Sequence, residues 1–144
     1  MSKSKQAIDV DFFQSSNVTQ PLRKGDIRRI VSHVCRQEHV WRAELSIVLV
    51  DDKAIQTMNK HFLGHDYVTD VITFPLEHDR ISAEVYINVQ QAKRQAKEHG
   101  VSVQNEMTRL VVHGTLHALG YDDTTSRKRK MMHTVQERYV SDLS

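Results

Sequence analysis

The stretch DVITFPLEHDRISAEVYINV, residues 70–89, decides the fold class of this chain. DVITF (70–74) is a short apolar run that Pro75 stops, and ISAEVYINV (81–89) alternates apolar and polar positions as a half-buried strand does. Because only a loop of hairpin length joins the two runs, we predict that they pair antiparallel. A sheet that contains this hairpin cannot be purely parallel.

The segments on either side of this hairpin alternate between strand and helix periodicity. Strands are predicted at 7–13, as an exposed edge, and at 44–50, as a buried run. Helices are predicted from Pro21, in the first turn, to about Glu38; from the Asp51-Asp52 pair to about Phe62; over 90–99, closed by Gly100; from Ser102 to Gly120; and after Thr124 or Thr125. The sequence therefore predicts an α/β fold with α+β-like layers, in which a small mixed sheet of about four strands packs against helices.

The size and composition of the chain are those of one ordinary globular domain. Residues 1–144 contain no repeats, low-complexity runs or Pro/Gly linkers, so we predict a single domain. Hydrophobic residues make up 39% and charged residues 26%, which excludes a wholly disordered chain. The formal net charge of +2 neither requires a nucleic-acid partner nor excludes one.

Cysteine content and hydropathy limit the location and the kind of metal site. Cys35 is the only cysteine, so the chain has no internal disulfide and no Cys-based zinc site, and we expect no disulfide-linked partner. The N-terminus lacks the apolar core of a signal peptide, and no stretch approaches the roughly 20 apolar residues of a membrane span. We therefore expect a cytoplasmic protein with no membrane partner.

A histidine pair lies in the predicted helix before Gly120. His113 and His117 are four residues apart, so their rings lie one above the other on the same helix face and can approach one metal ion. In the HExxH helix of zinc proteases a glutamate follows the first histidine, and here that position is Gly114. A metalloprotease of that kind is therefore disfavoured.

The residues after this helix can supply a third ligand. Gly120 is suited to end the helix in a left-handed conformation, which would turn Asp122 and Asp123 back toward the histidines. Two histidines and a carboxylate, with one position open, are an accepted catalytic zinc set. Alternatively, the histidines are packed core residues and one aspartate caps the last helix. The residues alone do not decide between these interpretations, or between Asp122 and Asp123.

Three sequence blocks resemble one known family. HGTLHALGYDD (113–123) matches the signature HGxLHxxGYDH except at its last position. NKHFLGHDYVTDVITFP (59–75) is similar to NxxYRxxDxPTDVLSFP, and AEVYIN (83–88) to the strand GDIxIS that follows it. The order and spacing of the blocks also agree. The chain resembles the YbeY-type endoribonucleases, which are bacterial rRNA maturation factors.

This resemblance implies a single metal-dependent hydrolase domain that cleaves single-stranded RNA, in 16S rRNA 3′-end maturation and ribosome quality control. It implies a metal site on a buried helix and the turn after it, with His113, His117 and Asp123 as the ligands of zinc or a similar divalent ion. RNA, mainly rRNA, and the ribosome or its small subunit are the implied partners.

The chain departs from the family pattern at two positions. Asp123 stands where the family has its third histidine, and Leu63 stands where the family has an arginine that resembles a phosphate-binding residue. An anionic ligand lowers the net charge of the site by one and can change the preferred metal. Basic residues elsewhere could replace the arginine: His65, Arg94 and Arg109.

Thr69 and Asp70 match the family's Thr-Asp pair. With Arg109 they are our predicted substrate-binding residues, although Thr69 and Asp70 can equally cap the turn into the strand that follows. Glu84 and Glu106 could orient a ligand histidine or accept a proton, with an outward strand position and a helix-surface salt bridge as the simpler interpretations. The sequence assigns no general base.

Three alternatives to this site and function remain open from the sequence. His133 could replace Asp123 as a ligand, although its neighbours indicate a partly packed side chain. The protein could also be a metal-dependent hydrolase of amides or esters. Finally, the protein could be a ribosome-assembly factor that retains the fold but has lost catalytic activity through the substitutions at Leu63 and Asp123.

Overall fold

The computed structural model describes residues 7–15 and 17–144 of the chain. In chain order the elements are β1 (Ala7–Gln14), α1 (Lys24–Gln37), β2 (Arg42–Val50), α2 (Asp52–Leu63), β3 (Val71–Pro75), β4 (Ser82–Asn88), α3 (Val89–His99), α4 (Val103–Ala118) and α5 (Ser126–Leu143). The predicted α/β fold with a small mixed sheet is confirmed.

The sheet has the strand order β1-β2-β4-β3. The first two pairs of neighbours are parallel, and β3 pairs antiparallel with β4, with Val71 opposite Ile87 and Pro75 opposite Ala83. The hairpin over 70–89 is therefore confirmed, and so is β1 as an edge strand. Pro75 is tolerated because β3 is the other edge, where its missing N–H removes no ladder hydrogen bond.

Helix α4 lies at the centre of the fold, against β3 and β4 on one side and against α1, α3 and α5 on the others. The side chains of Leu45, Ile47 and Leu49 on β2 point into the main core, which α1 and α4 close. A smaller cluster on the opposite face of the sheet forms around Ile55 of α2. This arrangement fixes α4 directly over the hairpin strands.

Most helix ends agree with the sequence. Asp51, Ser102 and Thr125 each accept a hydrogen bond at a helix N-terminus, as predicted. The prediction that Pro21 lies in the first turn of a helix is wrong. Helix α1 begins at Lys24, because the Asp26 carboxylate accepts a hydrogen bond from the Arg23 N–H at 3.0 Å.

The start of α3 also differs from the prediction. Strand β4 passes straight into this helix at Val89, because the Asn88 side chain accepts hydrogen bonds from the backbone N–H groups of Gln90 and Gln91. The alternating pattern places Asn88 inside the strand, although asparagine is a strong helix N-cap. The strand therefore ends one residue before the predicted limit.

Gly114 allows α4 to lie directly on the hairpin. A Cβ atom added here would overlap Val85 Cγ1, and it would lie 3.4 Å from Val71 Cγ2 and 3.5 Å from Thr73 Oγ1. The Thr73 hydroxyl donates to the Gly114 carbonyl at 3.3 Å across the same contact. Glycine at this position therefore serves close helix–sheet packing, a role that the sequence did not indicate.

Gly114→Ala is expected to lower the free energy of unfolding by about 1–3 kcal/mol through overpacking against Val85. The loss should appear although alanine is by about 1 kcal/mol the better helix former. Urea denaturation would measure it. The matched control is Gly25→Ala, because Gly25 lies on α1 and a Cβ atom added there would meet nothing within 4 Å. Equal responses of the two variants would contradict the packing argument.

Cys35 lies in the core on α1, with no exposed surface. Burial raises the pKa of its thiol to about 11. The thiol is therefore protonated at neutral pH and is a poor nucleophile.

Candidate metal centre

The histidine pair lies in the last two turns of α4. The helix ends at Ala118, and Gly120, with φ of 109°, reverses the chain. The Tyr121 N–H donates to the Leu116 carbonyl at 3.0 Å and fixes this return. As a result, ligand atoms of His113, His117 and Asp123 all lie within 4.8 Å of one another.

The distances between these atoms suit a metal ion. The Nε2 atoms of His113 and His117 are 3.1 Å apart, and Asp123 Oδ2 is 3.7 Å from His117 Nε2. For a tetrahedral ion with bonds of about 2.0–2.1 Å, neighbouring ligand atoms lie ~3.3 Å apart. The two distances from His117 Nε2 lie on either side of this value, and the third ligand-atom pair lies within 4.8 Å.

In each ring, the contact of Nδ1 determines which nitrogen carries the hydrogen and which carries the lone pair. His117 Nδ1 lies 2.9 Å from the Tyr121 carbonyl oxygen, which can only accept, so Nδ1 carries the hydrogen. His113 Nδ1 is placed in the same way against Gln136 Oε1, at 2.7 Å. Both Nε2 atoms then carry lone pairs, and they lie 3.1 Å apart. Two such lone pairs repel at this distance unless a cation lies between them, so the residues fit a metal ion.

The electrostatic surroundings keep His117 neutral. Burial is the main cause that lowers its pKa, and the neighbouring His113 lowers it further. Neutral imidazole is the form that binds metal ions. Asp123 is 47% exposed, so the group opens to solvent on the side of the carboxylate.

The structure distinguishes the two aspartates that the sequence left open. Asp122 Oδ1 accepts hydrogen bonds from the N–H and the hydroxyl of Thr124, and Oδ2 lies 3.2 Å from Lys128 Nζ. These contacts lower the pKa of Asp122, with the backbone hydrogen bond first among them. Asp122 therefore fixes the turn into α5, and Asp123 is the carboxylate that faces the histidines.

Gln136 connects the centre to the last helix. It is buried on α5, and while its carbonyl accepts from His113 its amide donates to Glu137 at 3.1 Å. Glu137 in turn accepts two hydrogen bonds from Arg109, which also donates to Glu106 at 3.0 Å. Gln136 could not be predicted from the sequence, since one glutamine on an amphipathic helix carries no distinguishing pattern.

Arg109 does not lie free beside the histidines. Its guanidinium is bound by Glu137, Glu106 and Asn105, and hydrogen bonding to Glu137 is the main cause that raises its pKa. Substrate binding by Arg109 stays a prediction, but these contacts favour a role in holding α4 to α5. Glu106 is only 1% exposed and also accepts from Gln95, so a surface salt bridge is wrong for this residue.

The Arg109–Glu137 pair predicts a pH dependence of stability. Hydrogen bonding to Arg109 is the main cause that lowers the pKa of Glu137 from its ordinary 4.5. A lowered carboxyl pKa stabilises the folded state above the ordinary value, and this contribution disappears as the pH falls through the folded-state pKa. Glu137→Gln should therefore lower the free energy of unfolding at pH 7, by up to about 1 kcal/mol after solvent screening.

The difference between wild type and Glu137→Gln in urea denaturation should shrink as the pH falls below the ordinary carboxyl pKa of 4.5. A difference that stays constant between pH 7 and pH 3 would show that the effect comes from packing and not from the charge of Glu137.

A cleft of about 340 Å³ adjoins His117. Thr69 lines it, whereas Asp70 lines a separate depression of about 390 Å³ on the side of His113. The backbone carbonyls of Thr69 and Asp70 both accept hydrogen bonds from Asn88, at 3.2 and 2.8 Å. The structure thus places only Thr69 in the cleft next to the histidines, and substrate binding by either residue stays a prediction.

The remaining candidates lie in different places. Of the three proposed substitutes for the family arginine, His65 lines the cleft together with Leu63. Arg94 instead forms a salt bridge with Asp52 at 2.6 Å and does not line the cleft. His133 is exposed on α5 rather than partly packed, and it lies outside the metal-suited group that the described residues form.

Glu84 has its own partner on the strand: it accepts a hydrogen bond from the Tyr86 hydroxyl at 3.0 Å. A further cavity of about 700 Å³ is lined by residues of β1, β2 and β4, together with Arg28 and Leu76. None of the predicted site residues lines it. The metal-suited group and the cleft beside His117 therefore form the candidate site.

Two histidines on a helix that packs against a mixed sheet, with the carboxylate of the turn that follows, have the donor set of a catalytic metal site beside an open cleft. The sequence profile of the family described as Endoribonuclease YbeY matches residues 9–144. The chain belongs to the endoribonuclease YbeY family.

Curated relatives named Endoribonuclease YbeY cover most of the chain. The Pelotomaculum thermopropionicum protein is 40% identical over 130 residues, which is 83% of this chain and 86% of that one. The Bacillus licheniformis protein is 35% identical over 133 residues, with 83% and 84% coverage. The solution structure of TM1509 from Thermotoga maritima is similar with a TM-score of 0.70 and 25% identity, covering 93% of this chain and 88% of that one.

Proposed function

We propose that this protein is a metal-dependent endoribonuclease that cleaves single-stranded RNA. His113, His117 and Asp123 would hold one divalent ion, zinc or a similar metal. The observation that carries the proposal is the convergence of two Nε2 lone pairs and a carboxylate beside an open cleft. RNA is the proposed substrate because the chain belongs to the endoribonuclease YbeY family.

The chemistry follows from the donor set. A divalent ion bound there lowers the pKa of water and stabilises negative charge on phosphoryl oxygens. The chain itself holds the two rings through the Tyr121 carbonyl and the Gln136 amide oxygen. Asp123 adds one negative charge, and its exposed side leaves room for a substrate oxygen.

The biological setting rests on the family resemblance. We propose 16S rRNA 3′-end maturation and ribosome quality control as the process, with rRNA and the ribosome or its small subunit as partners. Within residues 7–15 and 17–144, no helix combines the length and the apolar character needed to cross a membrane. A cytoplasmic location and a single hydrolase domain over residues 1–144 stay predictions.

The proposal is tested by a cleavage time course on a single-stranded RNA derived from 16S rRNA. Wild type and His117→Ala are purified identically and assayed with and without a chelator. Wild type alone should cut, and the chelator should abolish cutting. This comparison separates activity of the site from a contaminating nuclease, because a contaminant would accompany both proteins.

Three other outcomes would overturn the proposal. Equal cutting by both proteins would identify a contaminating nuclease. RNA binding without cutting would indicate an assembly factor in which Leu63 and Asp123 have removed the chemistry. If RNA is neither cut nor bound, a metal-dependent hydrolase acting on amides or esters becomes the better interpretation.

A further inference from the structure

The cleft beside His117 has an unusual lining for a surface that meets RNA. Among the described residues that line it, none is a lysine, arginine, aspartate or glutamate. Its walls combine apolar side chains, such as Leu63 and Val71, with the hydroxyl residues Thr69 and Thr73. The cleft therefore offers no lysine or arginine to a phosphate group, which favours contacts to bases or sugars within it.

A stacked ring pair forms one wall of this cleft. The rings of His65 and Tyr67 are 5.3 Å apart between centroids and only 12° from parallel. The Tyr67 hydroxyl lies 3.2 Å from His65 Nδ1, which joins the two rings at their edges. Tyr67 is nevertheless 54% exposed, so the pair is not covered by the core.

The loop that carries the two rings is held by hydrogen bonds to α2. Gly64 closes α2 in the left-handed conformation, and the His65 N–H donates to the Asn59 carbonyl at 3.1 Å. Asn59 is buried, and its side-chain amide donates to the Tyr67 carbonyl at 3.0 Å. The side chain of Asp66, between the rings in sequence, accepts from Gln56 at 3.1 Å. The backbone that carries the rings is therefore fixed before any ligand binds, which reduces the entropy cost of stacking on them.

We propose that the His65–Tyr67 ring pair is a stacking platform for a nucleobase of the RNA strand that enters the site. Planar bases stack on exposed aromatic rings whatever their sequence, and a parallel pair can accept a third ring on an outer face. His117 lines the same cleft, so a base held here places its own backbone beside the metal-suited group. This inference rests on the proposed function, since it assigns the recognition step of that site.

Binding is measured by fluorescence anisotropy in the presence of a chelator, which prevents cleavage. The probes are a short single-stranded oligoribonucleotide and a matched oligomer in which abasic residues replace the bases. Tyr67→Ala should weaken binding of the base-containing oligomer by about five- to hundredfold and leave the abasic oligomer unchanged. Tyr67→Phe should bind as wild type does, because it keeps the ring and removes only the hydroxyl.

The matched control is Phe62→Ala. Phe62 is an aromatic residue that is 65% exposed, more than Tyr67, but its ring packs edge-on against Phe74 and lies outside the lining of the cleft. It should leave both affinities unchanged. Thermal unfolding of each variant shows whether the fold is retained.

Equal weakening of both oligomers by Tyr67→Ala would overturn the platform, and so would no weakening of either. The platform and the proposed function fail separately. Cleavage by wild type with the same KM in Tyr67→Ala would reject the platform and retain the nuclease. Base-dependent binding through Tyr67 without any cleavage would reject the nuclease and retain the platform.

Discussion

His117→Ala is expected to lower the affinity for a divalent ion by more than about 100-fold. Removing a partner that merely orients a ligand costs about 10–100-fold in metal affinity, and His117 would be a ligand itself. The substitution removes the Nε2 atom that lies 3.1 Å from His113 Nε2 and 3.7 Å from Asp123 Oδ2, so the remaining two donors no longer surround a common point.

Titration of the apoprotein with Zn²⁺ against a competing chelator measures this loss. His113→Ala should behave in the same way. The matched control is His133→Ala, which removes an exposed histidine of α5 that does not belong to the group and should leave the affinity unchanged. A large loss in His133→Ala together with a small one in His117→Ala would reject the proposed ligand set.

Asp123→Ala is expected to reduce metal affinity by about 10–100-fold. The effect should be smaller than that of a histidine ligand, because Asp123 is half-exposed and water can enter its position. Asp122→Ala is the matched control: it removes a carboxylate one residue away that is engaged with Thr124 and Lys128. It should cost stability through the lost turn contacts and leave bound metal almost unchanged.

Asp123→His provides the complementary test. It restores the residue type of the family signature and raises the charge of the site by one, so metal should be retained. Metal content after dialysis, measured for all three variants, shows which aspartate is a metal ligand. Equal retention in Asp122→Ala and Asp123→Ala would show that neither carboxylate is a ligand.

Local sequence signals were sufficient for most of the fold. The hairpin over 70–89 could be predicted because a two-residue period, a stop at Pro75 and a short loop all indicate the same pairing. The N-caps at Asp51, Ser102 and Thr125 each accept a hydrogen bond from the backbone N–H three residues later, so they too could be predicted from local sequence. The error at Pro21 arose because proline is compatible with a first turn without requiring one.

The site could be predicted only where its residues are close in sequence. His113 and His117 are one helical turn apart, and Gly120 indicates the reversal that brings Asp123 back. The contact of His113 with Gln136 crosses 23 positions, and that of Gly114 with Val85 joins a helix to a strand. Such contacts depend on how elements pack, and no periodicity encodes them.

The two rings of the candidate centre are held from different parts of the chain, one by the turn after α4 and the other by Gln136 on α5. Gathering the histidines around an ion and docking the C-terminal helix are therefore thermodynamically linked, and each favours the other by the same free energy. Saturation with metal would stabilise the whole fold by mass action. Conversely, a surface substitution that destabilises the packing of α5 would lower the metal affinity without changing a ligand. The last helix therefore contributes to metal affinity although it supplies no ligand.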